Sequence, residues 1–556
     1  MASQDDSNIT FLLRYFSEGP GYWMDLFHVG TYFASHIPAK ARENPLLRYA
    51  AAACAAKALT RVQKHKPATG DSVTRQTGMI QHPDAPLVDW KHKAAVYYHT
   101  AVSLLRQALD REVASSSESK YDRRQCNQDP ASTSDRSAPR RRRTPSSTSF
   151  VSSAEEILTA TVLLCFYEFL DTSVSEWKKH MNGAASLLLL SQKKVVPSRP
   201  LVTKPSMHST SSKLASRARR AVFWNLARQD MLAAFINKTS TRLDTEDLTL
   251  WREAGLMISE QAQIMPSNTT ASGYFREGAA VAREEVICNT LVWLMAKLAN
   301  FMATDDEISD KVGTPRSGIS QRTLFDQWFS LRKQFQLWHK RLPITFTPSG
   351  RVASSHRSAQ ISNDGNDSMF TEIWYLIPMC ASTMQAYHMS QILLFMNRPY
   401  ESGVARDTVV ARMNYYQSVQ AICQSHSREI VGISLARADK AVRIHSVEPL
   451  FTAGQCLSDE RERRVILRLL QDIESDIGWA TDYRVRRLVK EWQREELEGA
   501  VLCHMVTSFG RLPCWCTQCM PSVNAHAAPK QASQNYYFRA HNDRYLPPQV
   551  PVEMRL

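Results

Sequence analysis

Apolar residues recur at helical spacing again and again along this chain, and no stretch of comparable strength alternates with period 2. From Ala94 to Leu109 the residues Ala94, Tyr97, Tyr98, Ala101, Leu104, Leu105 and Ala108 fall on one stripe, which predicts a helix laid against a core. Ser153 with Glu156 has capping-box spacing and opens the apolar run Ile157–Leu170; Ser173 with Glu176 repeats the device before Trp177–Leu190, so these two segments read as a helical hairpin. Further helices are predicted at Leu46–Arg61, Ser216–Asn237, Arg283–Met302, Gln321–Arg341, Met369–Met396, Val404–Arg428 and Asp459–Gln493. The fold class is all-α: a multi-helix bundle or an irregular helical solenoid, with disordered inserts.

Composition agrees. The 556 residues include only 19 glycines, roughly 3% against the usual ~7%, which disfavours glycine-dependent phosphate loops and turn-dense β-sandwiches. A 43% share of hydrophobic residues is enough for a large core. Residues 115–152 are rich in Ser, Arg, Asp and Pro, and ordering them would cost more entropy than burial returns. The organisation expected is an N-terminal part of the helical domain over 1–114, a disordered basic insert over 115–152, the main helical domain over 153–493 with linkers near 192–212 and 349–367, and a mobile tail over 494–556. Eleven scattered cysteines do not form a secreted disulfide frame, and the polar, acidic start Met1–Asp6 is no signal peptide. The apolar windows Ile157–Leu170 and Ile373–Met396 are too short or too interrupted to span a bilayer, so no membrane segment is expected.

Chemical motifs are scarce. HExxH, GxSxG, GxxxxGK[ST] and GxGxxG are absent, and no catalytic, cofactor or metal residues are assigned. Asp305 and Asp306 suggest a magnesium-binding DDxxD helix, but position 309 is Ser309, and Asp310 falls on another face. Cys514, Cys516 and Cys519, with Cys503, His504 and His526 nearby, supply enough donors for zinc, yet the spacing is irregular and free thiols are expected. Arg140, Arg141, Arg142 and Arg143 form a basic run inside the insert, suited to an acidic groove of an import receptor or to a phosphate backbone. On the segment Ala221–Asn237, Asp230 lies within the apolar face of Phe223, Leu226, Ala227 and Ala234, while Asn225, Arg228 and Gln229 lie on another face. A carboxylate so placed must be hydrogen-bonded or paired, and an interhelical bond is expected, with effector sensing as the alternative. His180 shares a face with Trp177, Ala184 and Leu187 and reads as a core histidine; Gly183 beside it allows close helix approach.

These runs, taken in order, closely resemble the regulatory domain of fungal zinc-cluster transcription factors. The matching pieces are AEEILTATVLLCFYEFLDTSVSEWKKHMNGAASLLLL from Ala154, with Trp177, His180 and Gly183, then AVFWNLARQDMLAAFINKTSTRLDTEDLTLW from Ala221, with Arg228, Gln229, Asp230 and Asp244. LLRYF from Leu12, WMD from Trp23 and NPLLRYA from Asn44 precede them; VEPLFTAGQCL from Val447 and DIGWATDYRV from Asp476, with Trp479, Asp482 and Tyr483, follow. The resemblance implies a nuclear transcription regulator, not an enzyme, that controls a metabolic or secondary-metabolite biosynthetic gene set. Its implied partners are the transcription machinery or related DNA-binding regulators, together with a small-molecule effector and no membrane. Family members carry a six-cysteine cluster that holds two zinc ions and reads the DNA major groove. This sequence is read as starting in the regulatory domain, with Cys54 the sole cysteine before Cys126, so zinc and direct DNA contact are expected only if such a cluster lies upstream. The alternatives are a DNA-free adaptor or competitor of related regulators, and an all-α enzyme. The net charge of +14 adds at most loose attraction to nucleic acid.

Overall fold

The structure, a computed structural model, describes residues 4–62, 88–125, 154–170, 209–265, 283–309, 321–353, 370–399, 408–436 and 439–509. Its helices are α1 (Gln4–Glu18), α2 (Pro20–Met24), α3 (Ile37–Lys40), α4 (Pro45–Leu59), α5 (Trp90–Gln125), α6 (Ala154–Phe169), α7 (Ser209–Asn237), α8 (Leu248–Glu253), α9 (Arg283–Ser309) and α10 (Gln321–Lys340). After them come α11 (Pro378–Met396), α12 (Val409–Leu435), α13 (Lys440–His445), α14 (Val447–Cys456), α15 (Glu460–Ile477) and α16 (Asp482–Phe509). The chain divides into two compact units, Met1–Glu491 and Trp492–Leu556. Everything below concerns the first.

Local chemistry sets the helix ends. Asn44 caps α4 by accepting from Leu46 N at 2.9 Å, and Pro45 fills the first helical position, where its missing N–H costs nothing. Asp459 caps α15 in the same way, accepting from Arg461 N at 2.7 Å. The alanines Ala50–Ala53, Ala55 and Ala56 leave α4 thin enough to be buried while α1, α5 and α6 all pack on it. α9 is the central core helix. Its stretch Glu284–Thr304 is long and apolar enough to cross a membrane by length and composition, but 83% of it is buried inside the fold, against α7, α10 and α11. Indole N–H groups brought into this core find backbone acceptors: Trp224 donates to Ala254 O, Trp251 to Asp244 O, Trp293 to Thr245 O, Trp328 to Leu394 O and Trp338 to Ile287 O, all at 2.8–3.1 Å.

The chain is mostly helical, as its periodicity predicts, with differences that have local causes. Residues 371–374, expected in the helix Met369–Met396, form strand β2 (Thr371–Trp374), antiparallel to β1 (Gly350–Ala353), with Arg351 opposite Ile373. The helix starts instead at Pro378, because a proline pushes the residue before it toward extended backbone, and Ile377 sits at φ −108°, ψ 116°. β1 itself falls within the linker expected near 349–367. The hairpin packs on α12, where a Cβ at Gly432 would collide with Thr371 O. The helix expected at Asp459–Gln493 is two helices, divided at Gly478, which adopts the left-handed φ of +86° and returns its N–H to Glu474 O. α5 and α16 continue beyond Leu109 and Gln493, and α12 runs Val409–Leu435 where Val404–Arg428 was expected. The predicted helix Trp177–Leu190 lies outside the described residues, as do Arg140–Arg143, His180, Gly183, Asp310, Cys514, Cys516, Cys519 and His526. Asp305 and Asp306 belong to the end of α9.

Among the described glycines, Gly478 meets the closest obstruction. Any Cβ there would fall on Ala58 O, and a non-glycine residue would also carry the left-handed strain of about 1–2 kcal/mol. Gly478→Ala should lower the free energy of unfolding by at least ~2 kcal/mol, read as a shift in the urea midpoint.

Candidate functional site

The helix α7 is buried on every side between Ala221 and Met231, so the face that carries Asn225, Arg228 and Gln229 is as enclosed as the apolar one. That face forms one wall of a pocket. The opposite walls come from Trp23, Met24 and Phe27 at and just after α2, Phe166 and Phe169 on α6, Ile444 and His445 on α13, Val447 and Glu448 on α14, Trp479 in the turn after α15, and Tyr483 on α16. About 60 Å³ of clear interior lies within about 750 Å³ of non-atom space that includes the mouth. One water needs roughly 10–15 Å³ of such clear volume, and a cavity of about 150 Å³ takes benzene whole. The interior thus accepts a small group, with further room toward solvent.

Arg228 dominates the electrostatics. Its guanidinium donates through Nη1 to Trp224 O at 3.2 Å and through Nη2 to Asn289 Oδ1, and it lies over the Phe27 ring at 4.1 Å from the centroid. Burial pulls its pKa down to about 10, partly offset by Cys288 and Glu285, so the group stays charged at neutral pH. No carboxylate pairs with it among the described residues. Glu285 instead accepts or shares a proton with His28 Nδ1 at 3.2 Å and accepts from Val29 N at 3.5 Å. His445, edge-on to Phe27 at 5.1 Å, is held down to about 4 by burial and then by the field of Arg228, and its Nε2 faces Trp23 O at 3.4 Å. The imidazole is therefore neutral with its proton on Nε2.

A second charged group is fully paired. Arg484 donates through Nε and Nη2 to the two oxygens of Glu448, at 2.9 and 2.5 Å, and Tyr483 OH lies 3.2 Å from Oε1 of the same carboxylate. Burial works against the charge on Arg484, but Glu448 and Tyr483 more than restore it, and its pKa stands above the ordinary value. The guanidinium also stacks on Phe451 at 4.2 Å.

Of the motif positions singled out in the sequence, Arg228, Gln229, Trp479 and Tyr483 converge on this pocket. Asp230 does not. Its carboxylate turns to the loop that follows its own helix, accepting from Arg242 N at 2.8 Å, Leu243 N at 2.9 Å and Arg242 Nη1 at 3.1 Å, where an interhelical bond was expected. Burial raises its pKa against those bonds. Asp244 accepts from Glu246 N at 2.9 Å, an Asx turn that leads into α8, and Asp482 opens α16, giving its N–H to Glu474 Oε2 at 2.8 Å and pairing with Arg486. Trp23, His445, Glu448 and Arg484 were assigned no role from sequence, although the runs WMD and VEPLFTAGQCL already contain Trp23 and Glu448.

Among the described residues no group of three or more His, Cys, Asp or Glu side chains could hold a metal ion. Cys54, Cys165, Cys288, Cys380, Cys423 and Cys456 are all free, the first five are buried, and burial pushes the Cys165 and Cys288 thiols up to about 12, the reverse of what zinc-binding thiolates need. These cysteines do not fit a zinc cluster.

The sequence profile described as the fungal specific transcription factor domain matches residues 11–520. The chain belongs to this family. A relative in Alternaria alternata, the transcription activator AMTR1, is 64% identical over 502 residues, which cover 90% of this chain and 65% of the relative. This chain thus spans about two thirds of the length of the curated relative it matches. No solved structure matches it. The family is one of transcription-factor domains, not of enzymes.

Two outcomes test this geometry. Glu448→Gln, which leaves Arg484 buried without its counter-charge, should cost about 3–5 kcal/mol in urea unfolding, while the double variant Glu448→Leu/Arg484→Met should recover most of the loss. His445 has a folded-state pKa of about 4 against an ordinary 6.5, so below pH 6.5 the unfolded chain binds a proton that the folded one refuses, and stability falls as pH falls. Between pH 6.5 and 5 the native protein should lose roughly 1–2 kcal/mol more than a His445→Gln variant, measured by unfolding at each pH.

Proposed function

We propose that this chain is the regulatory portion of a nuclear transcription activator that controls a metabolic or secondary-metabolite gene set. The observation that carries the reading is the 64% identity to a transcription activator across 90% of this chain, within a family profile covering residues 11–520. Its partners in this reading are the transcription machinery or related DNA-binding regulators. The structure is compatible with such a role, since the helical unit offers a largely apolar pocket that contains a buried arginine, a site suited to a small effector. Arg140–Arg143 supply the import signal in this scheme, a dense cationic run that an acidic receptor groove would bind.

Fusion of the chain to an unrelated sequence-specific DNA-binding module, with a reporter gene in a fungal host, tests activation directly. Reporter output well above that of the module alone is expected, and output equal to the module alone would overturn the reading. In parallel, replacing Arg140–Arg143 with alanine in a fluorescent fusion should bring the nuclear-to-cytoplasmic ratio close to unity; an unchanged ratio would remove these arginines from import.

A further inference from the structure

Three side chains that line the pocket each carry a buried polar atom with no hydrogen-bond partner among the described residues: Trp23 Nε1, Arg228 Nε and Gln229 Oε1. Each belongs to a side chain at least nine-tenths buried, with residue exposures of 2%, 7% and 8%. Such groups are costly in a folded interior, where nearly all buried donors and acceptors are satisfied. The contrast with the neighbouring indoles sharpens the point, because Trp224, Trp251, Trp293, Trp328 and Trp338 all donate to carbonyls. Trp23 alone among these six finds no acceptor for its N–H. Arg228 adds a full positive charge with only neutral acceptors. The one carboxylate in the lining, Glu448, is engaged in a bidentate pair with Arg484 and contributes no net charge with it, and His445 is neutral.

We propose that this pocket binds a small organic acid with an apolar body and a hydroxyl or N–H close to its carboxylate. The carboxylate oxygens accept from Trp23 Nε1–H and Arg228 Nε–H, and neutralise a buried cation whose other partners are uncharged. The hydroxyl or N–H donates to Gln229 Oε1. The aliphatic or aromatic remainder lies toward the mouth between Phe169, Ile236 and Trp479, where apolar contact replaces water. An uncharged molecule of the same shape fills the space but leaves Arg228 unneutralised; a cation is repelled by it. This deepens the reading of the chain as a regulator by naming the chemical class of the effector, and it rests on that reading only for its biological meaning.

The test uses the purified full chain and 2-hydroxyhexanoate, with hexane-1,2-diol as the uncharged counterpart of the same length. Binding, scored as a saturable rise of the thermal unfolding midpoint, should be at least tenfold tighter for the acid than for the diol. Arg228→Gln should abolish that preference. Trp23→Phe, which keeps the ring and removes only the N–H, should weaken the acid several-fold and leave the diol unchanged, and it serves if Arg228→Gln does not fold. Equal affinity for acid and diol, no binding of the acid at tens of millimolar, or indifference of the acid to Trp23→Phe would each overturn the proposal. Because no transcription is measured, failure here is distinct from failure of the reporter experiment.

Discussion

A guanidinium held in the core without a counter-charge is the constraint around which this fold is arranged. Taking an arginine out of water costs several kcal/mol even after relaxation, so the surroundings of Arg228 must return that energy in fixed dipoles and ring contacts. They come from separate elements: Trp224 O from its own helix α7, Asn289 from α9, the Phe27 face from the segment after α2. Burial, reinforced by the same charge, holds His445 on α13 neutral, and that ring packs edge-on against Phe27. Four stretches far apart in sequence are thus obliged to meet at one point, and their mutual position is set by an electrostatic requirement as much as by apolar burial.

Acidic side chains do the complementary work at the turns. Asp25 accepts from Phe33 N and Ala34 N at 3.1 and 2.7 Å, Asp230 from Arg242 N and Leu243 N, and Glu474 from Thr481 N and Asp482 N at 2.7 and 2.8 Å. Each ties an irregular segment to a helix through backbone amides, several of them buried, that lack a partner in the helical ladder. The penalty is visible at Asp25, whose carboxyl burial pushes up to about 6 despite the bonds to Ala34 and Phe33. Two of these fastened turns end in the pocket wall: Asp25 follows Trp23 and Met24, and the Glu474 turn carries Trp479. Loops that would ordinarily be the pliant part of a binding site are anchored here.

The helices were legible because burial of one face imposes a 3.6-residue period, and α10 and α15 show it plainly. The pocket was not, for a physical reason that α7 illustrates. A helical wheel sorts residues by direction around the axis, and it cannot tell a solvated polar face from a buried one when both sides are covered. Asn225, Arg228 and Gln229 share a direction, which the sequence shows; that this direction points into the interior depends on Trp23, about 200 residues upstream, and on Ile444 and His445, about 200 downstream. Asp230, by contrast, was correctly recognised as a carboxylate that needs partners, and only the partner was misplaced, because a bond to the following loop leaves no trace in helical periodicity. The hairpin β1–β2 was missed for the opposite reason: Thr371–Trp374 is too short for alternation to outweigh the helical run beyond Pro378.

The way the elements around the pocket are fastened bears on regulation. A bound molecule can shift a protein between states only by the difference in its affinity for them, so a sensing pocket must be lined by elements that move relative to each other between those states. Here one wall, α7 with α9, is joined by the Arg228–Asn289 bond, and the other, α14 with α16, by the Glu448–Arg484 pair. Around them, His445 meets Phe27 edge-on, Trp479 meets Phe166 at 5.6 Å, and Met24 O and Trp23 O face Asn225 Nδ2 at 3.0 Å and His445 Nε2 at 3.4 Å. A ligand that neutralises Arg228 acts where these elements meet, and it shifts the protein only by as much as its affinity differs between two arrangements of them.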